Sequence, residues 1–167
     1  MEFLIDYNQF KKSKLQPIIQ DVLKINYDKA FDIGKKHCNL LSTWGIITDL
    51  EVYEETYEDF YKTLLIKNIC NKEGYLYLDK PEIFKELCIE CKITKYESIP
   101  YDLDFNQRFQ IAINNKSHFM AGKSFPDNRN IILYDTSSRP FGTELMEALK
   151  KTDRIYWIKK YEEVGKC

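Results

Sequence analysis

The chain is predicted to fold as an α+β domain, a helical N-terminal half packed on a C-terminal antiparallel sheet. Up to about residue 91 the apolar side chains recur at helical spacing, and beyond it they alternate between turn signals. No linker, repeat or low-complexity stretch separates the two textures, so the 167 residues read as a single domain, large enough for a hydrophobic core.

The elements follow in order. Residues 1 to 12 are mixed and fit a short helix or an edge strand. From Leu15 to Leu23, Leu15, Ile18, Ile19, Val22 and Leu23 make an amphipathic helix, with Pro17 tolerable in its first turn. Asn26 to Lys36 reads as a polar approach, with Asp28 and Asp32 as turn or capping residues and Gly34 as a breaker. Cys38 to Leu50 is nearly apolar all round, which predicts a helix buried at the centre of its domain.

Tyr53 to Ile69 is predicted as the next helix, with Tyr57, Phe60, Tyr61, Leu64 and Leu65 inward. Its acidic start (Glu51, Glu54, Glu55, Glu58, Asp59) complements the helix dipole and reads as a solvated face before a cation site. Tyr75 to Leu78 alternates as a short extended segment, and Pro81 to Cys88 is a third helix behind an Asp79 cap. Strands are expected at Cys91 to Glu97, Arg108 to Ile113, from Ser117 to Gly122, at Ile131 to Asp135 and at Arg154 to Ile158. Turns at Asn114 to Lys116 and Pro126 to Asn130 join the middle ones, and Gly142 to Lys150 is a short helix.

Composition excludes several functions. Lys and Arg number 25 against 26 acidic residues, so nothing electrostatic favours nucleic acid, and the local lysine pairs read as solvated faces. No window approaches the ~20 apolar residues of a membrane span, and the acidic N-terminus does not resemble a signal peptide. A cytoplasmic protein without membrane association is expected. Five cysteines, an odd number, argue against a disulfide framework. Cys88-Ile89-Glu90-Cys91 has the spacing of a zinc or redox pair, but no second ligand pair accompanies it and it follows a helix, so incidental thiols are the reading.

The chemistry concentrates elsewhere. Gly34-Lys35-Lys36-His37-Cys38-Asn39 brings a cysteine to the point where polar chain becomes apolar helix. A first-turn cysteine feels the positive end of the helix dipole, which favours thiolate and makes Cys38 a candidate nucleophile as well as a candidate core residue. A nucleophilic thiol needs a base and something to orient it. The sequence offers two histidines. His37 is adjacent to Cys38, and neighbouring helix residues seldom face each other. His118 opens one predicted strand and Asp135 closes the next, so a hairpin can set them side by side.

Cys38 within His37-Cys38-Asn39-Leu40-Leu41-Ser42-Thr43-Trp44-Gly45, His118 within Ser117-His118-Phe119-Met120-Ala121-Gly122, and Asp135 within Leu133-Tyr134-Asp135-Thr136-Ser137 match in order the papain-like cysteine peptidases. The pattern resembles their bacteriocin-processing-peptidase-like branch most, and within it a family of spirochaete plasmid and prophage proteins. The resemblance covers roughly residues 30 to 160. It implies a papain-like domain over residues 1–167 and a cysteine peptidase or amidase with Cys38, His118 and Asp135 as its triad. It further implies a peptide or protein substrate, and neither cofactor nor metal. The chain departs from that pattern upstream of the cysteine. Papain-like enzymes usually carry a Gln a few residues before the nucleophile as an oxyanion donor, where this chain has Gly34, Lys35 and Lys36. Gln16 and Gln20 lie well before it. A papain-like fold kept as a non-catalytic binding module of a mobile element is the alternative, and deubiquitinase-like or transglutaminase-like chemistry is not separable from a peptidase here.

Overall fold

The computed structural model describes residues 12–96, 107–113, 117–127, 129–136, 144–148 and 155–165. Its elements are α1 (Lys12–Leu23), α2 (Tyr27–Gly34), α3 (Cys38–Asp49), α4 (Tyr57–Ile66), α5 (Lys80–Glu86), β1 (Glu90–Tyr96), β2 (Arg108–Ile113), β3 (His118–Ser124), β4 (Asn130–Tyr134), α6 (Leu145–Ala148) and β5 (Ile155–Gly165). The class is α+β. All strand pairings are antiparallel, in the spatial order β1-β5-β2-β3-β4.

Four expectations are corrected. The approach to Cys38 is not a loop: Asn26 accepts a hydrogen bond from the Lys29 amide and caps α2. Thr56 caps α4 by accepting from the Asp59 amide, so that helix begins at Tyr57 and only Glu58 and Asp59 lie in its first turn. Pro17 stands inside α1, beyond its first turn. Tyr75 to Leu78 forms no strand beyond a single bridge between Cys70 and Leu76. The predicted turn at Asn114 to Lys116, Cys167 and the first eleven residues lie outside the described residues.

α3 is the axis of the domain, as its apolar sequence requires. Leu40, Leu41, Ser42, Thr43, Trp44, Gly45, Ile46 and Ile47 are all buried, and the helix lies across β2, β3 and β4. The Trp44 indole N–H donates to the Glu55 carbonyl, and its ring meets Tyr57 and Tyr134 edge-on. At the far end of α3 the Arg108 guanidinium binds both the Asp49 carboxylate (2.6 Å) and the Asp49 carbonyl (3.0 Å). That nearly buried pair ties the C-terminus of the helix to the start of β2 and satisfies one of its orphan carbonyls. The opposite face of the sheet carries a second core of Phe109, Ile111, Ile113, Met120 and Ile132 with Leu145 of α6.

Close packing of α3 on the sheet depends on Gly45. A Cβ there would stand 2.3 Å from Cγ of Tyr134. Gly45→Ala gains about 1 kcal/mol of helix propensity, but overpacking against a buried ring costs up to about 3 kcal/mol. A net loss of about 2 kcal/mol is expected, read as a lower urea midpoint at unchanged slope. A raised midpoint would show that the ring yields freely.

Candidate active site

Cys38 is the first residue of α3, where backbone N–H groups have no partner within the helix. It is 7% exposed. His118 opens β3 opposite Ile113, the last residue of β2, and Asp135 follows the last residue of β4. The imidazole Nε2 meets Asp135 Oδ1 at 2.7 Å, and the Cys38 side chain lies near enough to the same ring to raise its pKa. With Nε2 turned to the carboxylate, Nδ1 is the nitrogen left for the thiol. The three residues singled out in the sequence therefore meet, with the imidazole in the middle.

A β-bulge sets the phase of β4. Gly122 pairs with Ile132 but Ala121 pairs with Tyr134, so Leu133 is the extra residue of β4. Without it Tyr134 would oppose Met120, on the face away from α3. The added residue advances the register by one, which turns Tyr134 onto α3, where its ring meets Trp44 edge-on and packs against Gly45.

The electrostatics follow from burial and partners. Burial alone would lower the His118 pKa, but the hydrogen bond it donates to Asp135, the neighbouring Cys38 side chain and the charges of both outweigh it and hold it at about 9. The ring is therefore an imidazolium at neutral pH. The Asp135 side chain is fully enclosed and that of His118 is 19% exposed, so the pair is little screened by solvent.

His37 points the other way. It is fully buried, its Nδ1 lies 2.7 Å from the Tyr57 hydroxyl, and its ring meets Tyr61 edge-on. Its Nε2 makes no well-formed hydrogen bond. Desolvation pulls its pKa down to about 4, and a weak backbone contact at Lys72 only partly opposes that. Gly74, at φ +85°, leaves room for the ring, since a Cβ there would come within 3.0 Å of it. His37 is a neutral wall residue behind the start of α3.

Sequence reasoning missed the polar layer beneath Cys38. Asn39 Oδ1 accepts from Lys80 Nζ at 2.8 Å and from Gln110 Nε2 at 3.1 Å. The second Nε2 proton of Gln110 goes to Ser42 Oγ at 2.7 Å, and its Oε1 accepts from the Tyr161 hydroxyl at 2.8 Å. The network joins the first turns of α3 to β2, β5 and α5. One trace of it stood in the sequence: Asn39 and Ser42, three apart, form a polar stripe on the mostly apolar first half of the helix. The two cysteines of the C-x-x-C are placed differently from each other, Cys88 exposed just after α5 and Cys91 half-buried on β1. No group of three or more metal-ligating side chains occurs among the described residues, and no described helix is long and apolar enough to cross a membrane.

Fold and site together define an α+β protein with a hydrogen-bonded histidine–aspartate pair beside a cysteine at a helix start. No protein-family model, curated protein or solved structure matches the chain.

Proposed function

We propose that the protein is a papain-like cysteine hydrolase that cleaves a peptide, isopeptide or related amide bond. The observation that carries this reading is the His118 ring, hydrogen-bonded to Asp135 and electrostatically coupled to Cys38. In this reading the Cys38 thiolate attacks the carbonyl carbon and the imidazolium of His118 protonates the leaving amine. Water then hydrolyses the thioester, with His118 as base and Asp135 holding the ring.

Alkylation by iodoacetamide at pH 7 tests the pair, with the exposed Cys88 as internal reference. His118→Ala is expected to slow labelling of Cys38 at least tenfold relative to Cys88, and Cys38→Ala to abolish hydrolysis of an activated ester. If Cys38 labels equally fast without His118, the two residues do not act as a unit and the reading fails.

One observation favours a second reading, a binding module that keeps the fold without turnover: Cys38 and Asp135 are both nearly enclosed. A thiol that no small reagent reaches in the folded protein, yet labels fully in urea, decides for the module.

A further inference from the structure

We infer that the Asn39 side-chain amide is the oxyanion donor that this chain lacks upstream of its nucleophile, an assignment that rests on the hydrolase reading above. The charge on the carbonyl oxygen in acyl transfer needs fixed donors beside the nucleophile, and one is at hand in the Cys38 backbone N–H at the start of α3. A side-chain donor usually completes the pair. Gln16, the farther upstream of the two glutamines, donates instead to the side chain of the other, Gln20, one turn along α1.

Asn39 follows Cys38 directly, and its amide is fixed in one orientation. Lys80 and the Gln110 amide nitrogen can only donate, so the atom they share must be the Asn39 oxygen. Both partners are buried, Gln110 completely. Planarity of the amide then turns Nδ2 away from them, and Nδ2 has no partner among the described residues while Asn39 itself is half-buried. A preoriented donor left unused beside a nucleophile is what an oxyanion site requires, because no reorganisation is needed when the charge forms. The buried Lys80 ammonium further polarises the amide through its oxygen, which strengthens Nδ2–H as a donor.

The step balances simply. Cys38 sulfur bonds to the carbonyl carbon, and the carbonyl π pair moves to oxygen. That oxyanion accepts from the Cys38 N–H and from Asn39 Nδ2–H. The pair returns as the leaving group departs, with the His118 proton if it leaves as an amine.

The test compares two reactions of the same thiolate. Alkylation by iodoacetamide forms no oxyanion, whereas acylation by p-nitrophenyl acetate does. Their rate ratio cancels any change in thiolate population or exposure. Asn39→Asp keeps the acceptor that Lys80 and Gln110 need but removes the N–H donors, and Asn39→Ser serves as the uncharged second variant. The acylation-to-alkylation ratio is expected to fall about 100-fold or more in Asn39→Asp, the scale of losing one oxyanion donor, and to fall in Asn39→Ser as well. A ratio within threefold of wild type in both variants overturns the assignment. So does an equal fall of both rates, which would make Asn39 a positioning residue only. A wild-type protein that alkylates at Cys38 but never acylates removes the hydrolase reading itself, and this assignment goes with it.

Discussion

Asp135→Asn is expected to cut turnover of an activated ester at least about a hundredfold, the lower bound for general acid–base assistance, while the protein stays folded. Asp135 contributes both a hydrogen bond and a negative charge to the His118 ring, and together with Cys38 these hold the pKa at about 9 against the opposing pull of burial. Asparagine keeps the shape but loses the charge, and its amide can present an N–H where the carboxylate accepted. The ring can then adopt the tautomer that turns the wrong nitrogen to Cys38. A proton NMR titration reads the cause directly. With only two histidines, one at about 4 and one at about 9, the ring resonances are distinguishable without assignment. In Asp135→Asn the upper titration must move down while the lower one stays. An unmoved upper titration with wild-type turnover would separate Asp135 from the chemistry altogether.

The parts of this site carried by local pattern were readable from the sequence. Cys38 at a helix start, His118 at a strand start and Asp135 at a strand end each follow from short-range signals, because turn residues bracket β2 to β4, short runs that are buried almost throughout. Their meeting was an inference from the hairpin, and one irregularity of that hairpin was hidden. The bulge at Leu133 depends on which register buries most side chain across three strands and a helix, and no residue in Ile131-Ile132-Leu133-Tyr134 announces it. β5 was underestimated for a related reason. Lys159, Lys160, Glu162 and Glu163 look like the end of a strand, yet β5 continues to Gly165 because β1 pairs with it from Ile158 to Gly165, and β2 as far as Tyr161. Lys160 is buried there in spite of its charge. α2 was missed because eight residues are too few for helical periodicity to outweigh the turn-forming Asn26, Asp28, Asp32 and Gly34. The layer of Asn39, Lys80 and Gln110 joins residues 41 and 71 positions apart, which only tertiary structure brings together.

The two histidines, one enclosed among aromatic rings and one bonded to a carboxylate, should give the protein a stability maximum near pH 6.5. His37 titrates at about 4 in the folded chain against an ordinary value of 6.5. Between those values the unfolded chain binds a proton that the folded one refuses, so stability falls as pH drops, by about 1.4 kcal/mol per pH unit and about 3 kcal/mol in all. His118 has the opposite sign. Its folded pKa is raised to about 9, so its contribution is complete below 6.5 and is lost as pH rises through 9, again over a span of about 3 kcal/mol. Each limb can be removed separately. His37→Gln abolishes the proton uptake that opens the acid limb and should flatten urea midpoints between pH 4 and 6.5, whatever its effect at neutral pH. His118→Gln should flatten the limb between pH 6.5 and 9 and leave the acid one intact. Because carboxylates also titrate below about pH 5, the difference between variant and wild type, not the absolute curve, is what isolates each histidine. A His37→Gln protein that loses stability in acid as steeply as wild type would mean that the ring behind Cys38 is hydrated and not buried. A His118→Gln protein with an unchanged alkaline limb would mean that His118 is not held as an imidazolium between Asp135 and Cys38.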